Sequence, residues 1–284
     1  MANAGLLTLT VADPALALEY PAVVCYPTDA ASSETMLGPY RFDAGRDAPV
    51  APGRHALAVL SHGGGGSHLL YRSIATHLAA HGWIVVCPEH PGDNRNDRSL
   101  VNTDTAAARR ARHASLALDA VIAHEQLGPH VDVARIAAIG HSMGGLTALT
   151  MLGGQPWSRE RVPLEVHADA RVRAAVLMAP ATDWFMAPDS LDHVRAPLLV
   201  YVAEHDPVTP PAGVRAVLTH LPAATPCEIR EVSGGGHFAF LTPFPETMRR
   251  PDFPPSQDPS GFDRAAFHER LPKEIADWLL PHVS

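Results

Sequence analysis

The segment Ile139-Gly140-His141-Ser142-Met143-Gly144-Gly145 decides the fold that this sequence predicts. It joins a short apolar run, Arg135 to Gly140, to a stretch with helical spacing, Met143 to Leu152. A G-x-S-x-G pattern between a strand and a helix is typical of a sharp turn that raises a serine hydroxyl above the end of a sheet. Such a turn leaves almost no room for neighbouring side chains, hence the two flanking glycines. A glycine-rich turn with an idle serine is the alternative interpretation.

Outward from this segment, short apolar runs alternate with longer stretches of helical spacing. This alternation predicts an α/β fold with a mostly parallel central sheet and helices on both faces. The predicted strands are Ala22 to Tyr26, His55 to Ser61, Trp83 to Pro88, Arg135 to Gly140, Ala174 to Met178, Leu198 to Ala203 and Cys227 to Val232. The predicted helices are Tyr71 to His81, Thr105 to Gln126, Met143 to Leu152, Pro211 to Leu221 and Asp263 to Leu280.

The chain of 284 residues is expected to form one domain, residues 1–284. Residues 1–54 are predicted to form antiparallel edge strands and a loop. Residues 153–169 and 242–261 lack periodicity, and the second segment is rich in proline. Long irregular connections are often lids or substrate loops, and a plain surface excursion is the alternative.

Composition and charge restrict the possible partners. With 46% hydrophobic and 18% charged residues, the chain resembles an ordinary globular protein. Its net charge of -8 argues against a nucleic-acid partner, because such proteins concentrate Lys and Arg on one face. Arg109, Arg110 and Arg112 share a helix-like stretch with acidic residues, so we interpret this basic cluster as a solvated helix face. The oligomeric state is left open.

The cysteines and the N-terminus favour a cytoplasmic protein. Cys25, Cys87 and Cys227 lie in apolar, strand-like runs, where a thiol packs as a small hydrophobe, so no structural disulfide is expected. Met1 to Thr10 lacks the features of a signal peptide, although one removed earlier is the alternative. No apolar stretch approaches the roughly 18 residues of a membrane span, so no membrane association is expected.

A second glycine-rich segment, Ser61-His62-Gly63-Gly64-Gly65-Gly66-Ser67, follows a predicted strand. Glycine lets a backbone approach a substrate closely, and two amides aimed at one oxygen stabilise an oxyanion. We assign these donors to the backbone N–H groups of Gly64 and Met143. The segment lacks the G-x-x-x-x-G-K-[ST] pattern of a phosphate loop. A flexible loop without a role remains the alternative.

Two further residues complete a candidate triad with Ser142. Asp206 follows the predicted strand Leu198 to Ala203, and His237 follows the last predicted strand in a glycine-rich loop. The chain order Ser, Asp, His is the one this architecture imposes, with histidine as base and aspartate holding its tautomer. Asp183 is the rival acid, and Asp206 is alternatively a turn aspartate before proline.

The other histidines suggest less. His77 and His81 have a spacing that can bind zinc, but H-E-x-x-H is absent and a solvated helix face is the better interpretation. His62 and His141 are expected to shape their turns, and His90 is a candidate for substrate contact. We expect neither a metal nor an organic cofactor.

These motifs together resemble the α/β-hydrolase superfamily, and more narrowly its predicted dienelactone-hydrolase branch and bacterial relatives of platelet-activating-factor acetylhydrolase. The resemblance covers nearly the whole chain and implies Ser142, His237 and an acid as triad. Two positions depart from the pattern. Dienelactone hydrolases proper use a cysteine nucleophile where this chain has Ser142, and the acetylhydrolase relatives place the acid where it has Ala179, so Asp206 must serve as the acid.

The expected function is hydrolysis of a small-molecule carboxylic ester with a short or medium acyl chain, through an acyl-enzyme. Trp184, Phe185 and Phe238 are candidates for an apolar substrate pocket, although core packing explains them equally well. A thioesterase, amidase or C–C bond hydrolase would use the same triad. A non-catalytic binding protein on a hydrolase scaffold is the rival outside enzymes. An epoxide or halide hydrolase would need an acid at position 142.

Overall fold

A nine-stranded sheet forms the centre of the structure, a computed structural model that describes residues 2–283; the limits of the predicted domain, residues 1 and 284, lie outside this range. The strands of the chain are β1 (Asn3–Asp13), β2 (Leu18–Thr28), β3 (Thr35–Leu37), β4 (Tyr40–Phe42), β5 (Gly45–Arg46), β6 (His55–Ser61), β7 (Trp83–Pro88), β8 (Val131–His141), β9 (Val172–Met178), β10 (Leu198–Ala203) and β11 (Cys227–Val232). The sheet order is β11-β10-β9-β8-β6-β7-β2-β1-β5, and β3 pairs with β4 in a separate hairpin. Strands β6 to β11 are mutually parallel, whereas β2 runs antiparallel to both β1 and β7.

Helices cover both faces of this sheet; they are α1 (Arg72–Ala80), α2 (Asp104–Ala123), α3 (Met143–Met151), α4 (Pro211–Leu218) and α5 (Arg264–His282). Alternate residues of a strand point to opposite faces. In β7, Trp83 and Val85 therefore pack in one core cluster, with α1 and α5, whereas Ile84 and Val86 pack in the other, with α2, α3 and α4. The α/β fold predicted from the sequence is confirmed.

Two sequence expectations meet a different outcome in the structure. All three cysteines are free thiols, but Cys227, at the first position of the edge strand β11, is exposed and does not pack as a core residue like Cys25 and Cys87. The basic cluster of α2 is not a solvated face: Arg110 is buried against Asp93, and Arg112 pairs with the buried carboxylate of Asp13. No helix among residues 2–283 is long and apolar enough to span a membrane.

Buried neutral histidines make the stability of this fold depend on pH. Burial is the main cause that lowers the pKa of five buried histidines, to about 4 for His113 and His268 and about 3 for His141, and far down for His62 and His90. In the unfolded chain these rings take up protons near the ordinary value of 6.5, whereas the folded chain does not. Stability is therefore greatest above that value and is lost as the pH falls below it, by about 1.4 kcal/mol per histidine and pH unit.

Replacing one such ring should reduce this dependence. We expect His113→Leu to make the plot of unfolding free energy against pH, between about pH 6.5 and 5, shallower by about 1.4 kcal/mol per pH unit. Denaturant unfolding at several pH values measures the slope. As a control, Leu118→Ala removes a buried side chain of the same helix and should lower stability equally at each pH. An unchanged slope in His113→Leu would show that this ring is not held neutral.

Candidate active site

The loops after four parallel strands meet at the carboxyl edge of the sheet. Ser61, the last residue of β6, is paired with Gly140 of β8, and Ala203, the last residue of β10, is paired with Val232 of β11. Ligands of open α/β sheets bind at this edge, near the point where the strand order reverses. Here the reversal falls between β6 and β8. The loops that leave this edge carry the predicted site residues Gly64, Ser142, Asp206 and His237.

Ser142 lies on a strained turn between β8 and α3. Its φ of 56° and ψ of -118° are unusual for a residue with a side chain. A Cβ on Gly140 would lie 1.9 Å from the Gly144 carbonyl oxygen, and one on Gly144 would lie 1.9 Å from the Ser61 carbonyl oxygen. Only glycine fits at either position. The turn is therefore packed tightly from both sides and holds Ser142 at the sheet edge.

His237 is held by Asp206. The Nδ1–H of His237 donates to Asp206 Oδ2 at 2.7 Å, since an ionised carboxylate can only accept. The other carboxylate oxygen accepts from the amides of Val208 and Thr209 at 2.7 and 2.8 Å. Burial by itself would raise the pKa of Asp206, but the interaction with His237 and the hydrogen bonds from Thr209 outweigh it, and the pKa lies below its usual value. The rival acid, Asp183, is exposed on a short 3-10 helix, Asp183–Phe185, and has no such contact with His237.

A second hydrogen-bond chain fixes the loops relative to each other. Tyr71 Oη accepts from the amide of Gly63 at 3.2 Å and donates to His141 Nδ1 at 2.9 Å. The Nε2–H of His141 donates to the carbonyl oxygen of His237 at 2.8 Å. Burial lowers the pKa of His141 to about 3, which keeps the ring neutral and able to accept at Nδ1. Tyr71 and His141 thus connect the glycine loop, the serine turn and the histidine loop.

The glycine loop lies against the residue that follows Ser142. A Cβ on Gly64 would lie 3.2 Å from Met143 Cγ. The Met143 amide stands at the start of α3, where a helix leaves its N–H groups without helical partners. The two predicted oxyanion donors, Gly64 and Met143, are therefore neighbours beside Ser142.

A cavity of about 430 Å³ lies beside the serine turn, the glycine loop and the histidine loop. Gly64, Ser142, His237 and Phe238 line it, together with Phe253 from the irregular segment 242–261. The Ser142 hydroxyl has no hydrogen-bond partner within residues 2–283. In enzymes without substrate the serine to histidine hydrogen bond is often long, and it shortens when substrate binds.

Three residues that the sequence suggests as substrate contacts do not line this cavity. Trp184 and Phe185, expected in the substrate pocket, do not line this cavity, because the chain after β9 turns them into the core against α3 and α4. His90, expected to touch substrate, is fully buried, and its Nε2 is hydrogen-bonded to Ser61 Oγ at 2.8 Å. His62 shapes its turn as expected, with its Nδ1–H donating to the Gly63 carbonyl oxygen.

The histidine pair on α1 shows no ligand geometry. The rings of His77 and His81 are stacked with centroids 4.1 Å apart, and His81 Nδ1 donates to the His77 carbonyl oxygen. Over the described range, no three His, Cys, Asp or Glu side chains are grouped in a way that could hold a metal ion.

Comparison with known proteins agrees with this architecture. A family model described as alpha/beta hydrolase fold matches residues 59–196. A ferulic acid esterase from Streptomyces cinnamoneus superimposes with a TM-score of 0.74 over 99% of this chain and 90% of that chain, at 21% sequence identity. The chain is an α/β-hydrolase in fold. The α/β-hydrolase fold that the motifs suggested is thereby confirmed, and membership of the dienelactone-hydrolase branch stays a prediction.

The curated relatives that match this chain include cutinases. Cutinase 2 of Thermobifida cellulosilytica is 26% identical over 194 residues, which are 65% of this chain and 61% of the relative. Cutinase cut1 of Thermobifida fusca is 26% identical over the same share of this chain and 50% of its own length. The chain therefore spans only about half to three fifths of the relatives it matches.

Proposed function

We propose that this α/β-hydrolase is a serine-dependent carboxylic ester hydrolase. The observation that carries the proposal is the strained Ser142 in one cavity with His237, whose Nδ1–H is held by Asp206. A strained backbone at Ser142, with its side chain in the cavity, supports a role in which the hydroxyl is presented to a substrate. The similarity to cutinases and to a ferulic acid esterase supports ester chemistry.

The mechanism has two acyl-transfer steps. His237 takes the proton from the Ser142 hydroxyl through Nε2 while Oγ attacks the ester carbonyl carbon, and Asp206 stabilises the resulting imidazolium. The amides of Gly64 and Met143 donate to the oxyanion. His237 then gives the proton to the departing alcohol. Water, deprotonated by His237, attacks the acyl-enzyme carbonyl; the bond to Ser142 Oγ then breaks, His237 returns the proton to Oγ, and the carboxylic acid is released.

The cavity supports the substrate class. Its volume of about 430 Å³ and its side chains Leu70, Phe238, Leu241 and Phe253 suit a short or medium acyl chain of a small-molecule ester. Membership of the dienelactone-hydrolase branch and a cytoplasmic location extend this proposal. The first rests on the sequence motifs described above and the second on the three unpaired cysteines.

Labelling with a fluorophosphonate probe tests the proposal, because such probes react with activated serines and not with ordinary hydroxyls. We expect stoichiometric labelling, located at Ser142 by peptide mass spectrometry, and competition by a 4-nitrophenyl ester. Ser158, which lies outside the cavity, serves as the internal control and should stay unlabelled. A folded protein that does not react at Ser142 would instead be a binding module on this scaffold.

A further inference from the structure

The four amides of residues 63–66 differ in their partners. The Gly63 amide donates to Tyr71 Oη at 3.2 Å, the Gly65 amide to Asp93 Oδ1 at 2.7 Å, and the Gly66 amide to the Gly63 carbonyl oxygen at 3.1 Å. Within the described part of the chain the Gly64 amide has no partner. It is therefore the amide of this loop that remains available to a substrate.

The direction of the Gly64 amide is set by the carbonyl group of the same peptide unit. In a trans peptide the C=O and the following N–H point to opposite sides. The Gly63 carbonyl oxygen accepts from three donors: His62 Nδ1 at 2.7 Å, the Gly66 amide at 3.1 Å and Arg110 Nη2 at 3.3 Å. These bonds hold the oxygen on the protein side, so the Gly64 N–H faces the cavity that Gly64 lines.

Arg110 is the central donor behind the loop. Its side chain comes from α2 and is 1% exposed. Its Nη1 donates to the His62 carbonyl oxygen at 2.6 Å, and its Nε donates to Asp93 Oδ2 at 2.8 Å. Since Asp93 also accepts from the Gly65 amide, the ion pair contacts the loop on both sides of Gly64.

We propose that Arg110 and Asp93 are positioning residues for the oxyanion donor of Gly64, acting from behind the glycine loop without touching substrate. This inference rests on the proposed function. The guanidinium and carboxylate charges offset each other, so the pair acts by orienting peptide groups. A buried ion pair adds little net stability, because desolvation of the two charges offsets their attraction. Its geometric effect on the loop is thus the larger consequence.

The test replaces the pair without leaving a lone buried charge. The double variant Arg110→Met with Asp93→Leu removes all the side-chain bonds that this pair makes to the loop, and Arg110→Lys keeps the charge but not the planar guanidinium group. A matched control is Arg112→Met with Asp13→Leu, since Arg112 lies on the same helix and makes a two-bond pair with buried Asp13. Active sites are counted by fluorophosphonate titration, and kcat and KM are measured with 4-nitrophenyl butyrate.

The expected result is a split between kcat and KM. In the double variant, kcat per active site should fall by about 10²-fold or more, as on loss of an oxyanion donor, while KM changes by less than about threefold. Arg110→Lys should recover part of the loss. The control should keep the wild-type kcat per active site, whatever its stability.

Other outcomes overturn the inference in distinguishable ways. A double variant or Arg110→Lys with wild-type kcat per titrated site shows that the pair does not orient the donor. An equal loss in the control pair shows a general effect of removing buried charges. If the double variant does not fold but Arg110→Lys does, a wild-type kcat in Arg110→Lys overturns the inference and a reduced kcat supports it. If the wild-type protein neither reacts with the fluorophosphonate nor hydrolyses any ester, the proposed function is wrong, and the inference about Arg110 and Asp93 is not the cause of the failure.

Discussion

Replacing Ser142 with alanine is expected to lower kcat for a 4-nitrophenyl ester by on the order of 10⁶-fold, which leaves only the rate supplied by the oxyanion donors and binding. The hydroxyl is the proposed nucleophile, and no other described hydroxyl shares the strained turn. Steady-state kinetics at high enzyme concentration measure the residual rate.

The fold of Ser142→Ala should persist, because the substitution keeps the Cβ and adds no atom to the tightly packed turn. Both residues bear the same strain at a φ of 56°. The denaturant midpoint should therefore match that of the wild type. Ser158→Ala, outside the cavity, should retain full activity. A variant at position 142 that keeps even a hundredth of the wild-type rate, once contaminating esterase is excluded, would remove Ser142 from the mechanism.

The buried parallel strands could be predicted closely from the sequence. The bounds of β6, β7 and β10 agree with the predicted runs, because strands enclosed between helix layers are continuously apolar and end at polar or turn residues. The bounds of the edge strand β11 agree as well, although Val232 is its one buried residue. Strand β1 was predicted only as part of an edge region. Residues 4–7 of this strand are all buried and its second half mixes exposed and buried positions, and its pairing with β2 depends on register more than on composition.

The triad candidates could be identified from sequence because each stands beside a turn signal at the end of a strand. Arg110 gave no such signal. Its partners, Asp93 and the carbonyl groups of residues 62 and 63, are 17 to 48 residues away, and locally it is one arginine in a polar helix. The prediction that Trp184 lines the substrate pocket is wrong because it, too, depends on tertiary structure. Whether an aromatic ring after a strand faces the cavity or the core depends on how the chain turns, which local sequence does not encode.

Two more residues of the site also lacked a local signal. Tyr71 bridges the glycine loop and His141, and Thr209 donates through Oγ1 to Asp206 Oδ2 at 2.7 Å. A Tyr at the start of a helix and a Thr in a Pro-rich turn are common in any chain. Their roles follow from the meeting of the loops at one sheet edge, and only the three-dimensional arrangement shows it.

Replacing Asp206 with asparagine is expected to lower kcat by about 10⁴-fold while KM changes little. The two backbone amides at Asp206 Oδ1 determine which way the new side chain faces. They require an acceptor, so the amide oxygen of asparagine takes the Oδ1 position and its NH₂ group faces His237 Nδ1. A donor at that position forces Nδ1 to accept, and the ring proton moves to Nε2. A ring protonated at Nε2 cannot take the proton of Ser142.

A control variant distinguishes the effect of the wrong His237 tautomer from the effect of losing a carboxylate charge. Asp183→Asn removes a carboxylate at the rival position, which has no contact with His237, and should keep the wild-type rate. Kinetics at several pH values, with fluorophosphonate titration of active sites, measure both variants. If Asp206→Asn retained its rate and Asp183→Asn lost it, the acid of the triad would be Asp183.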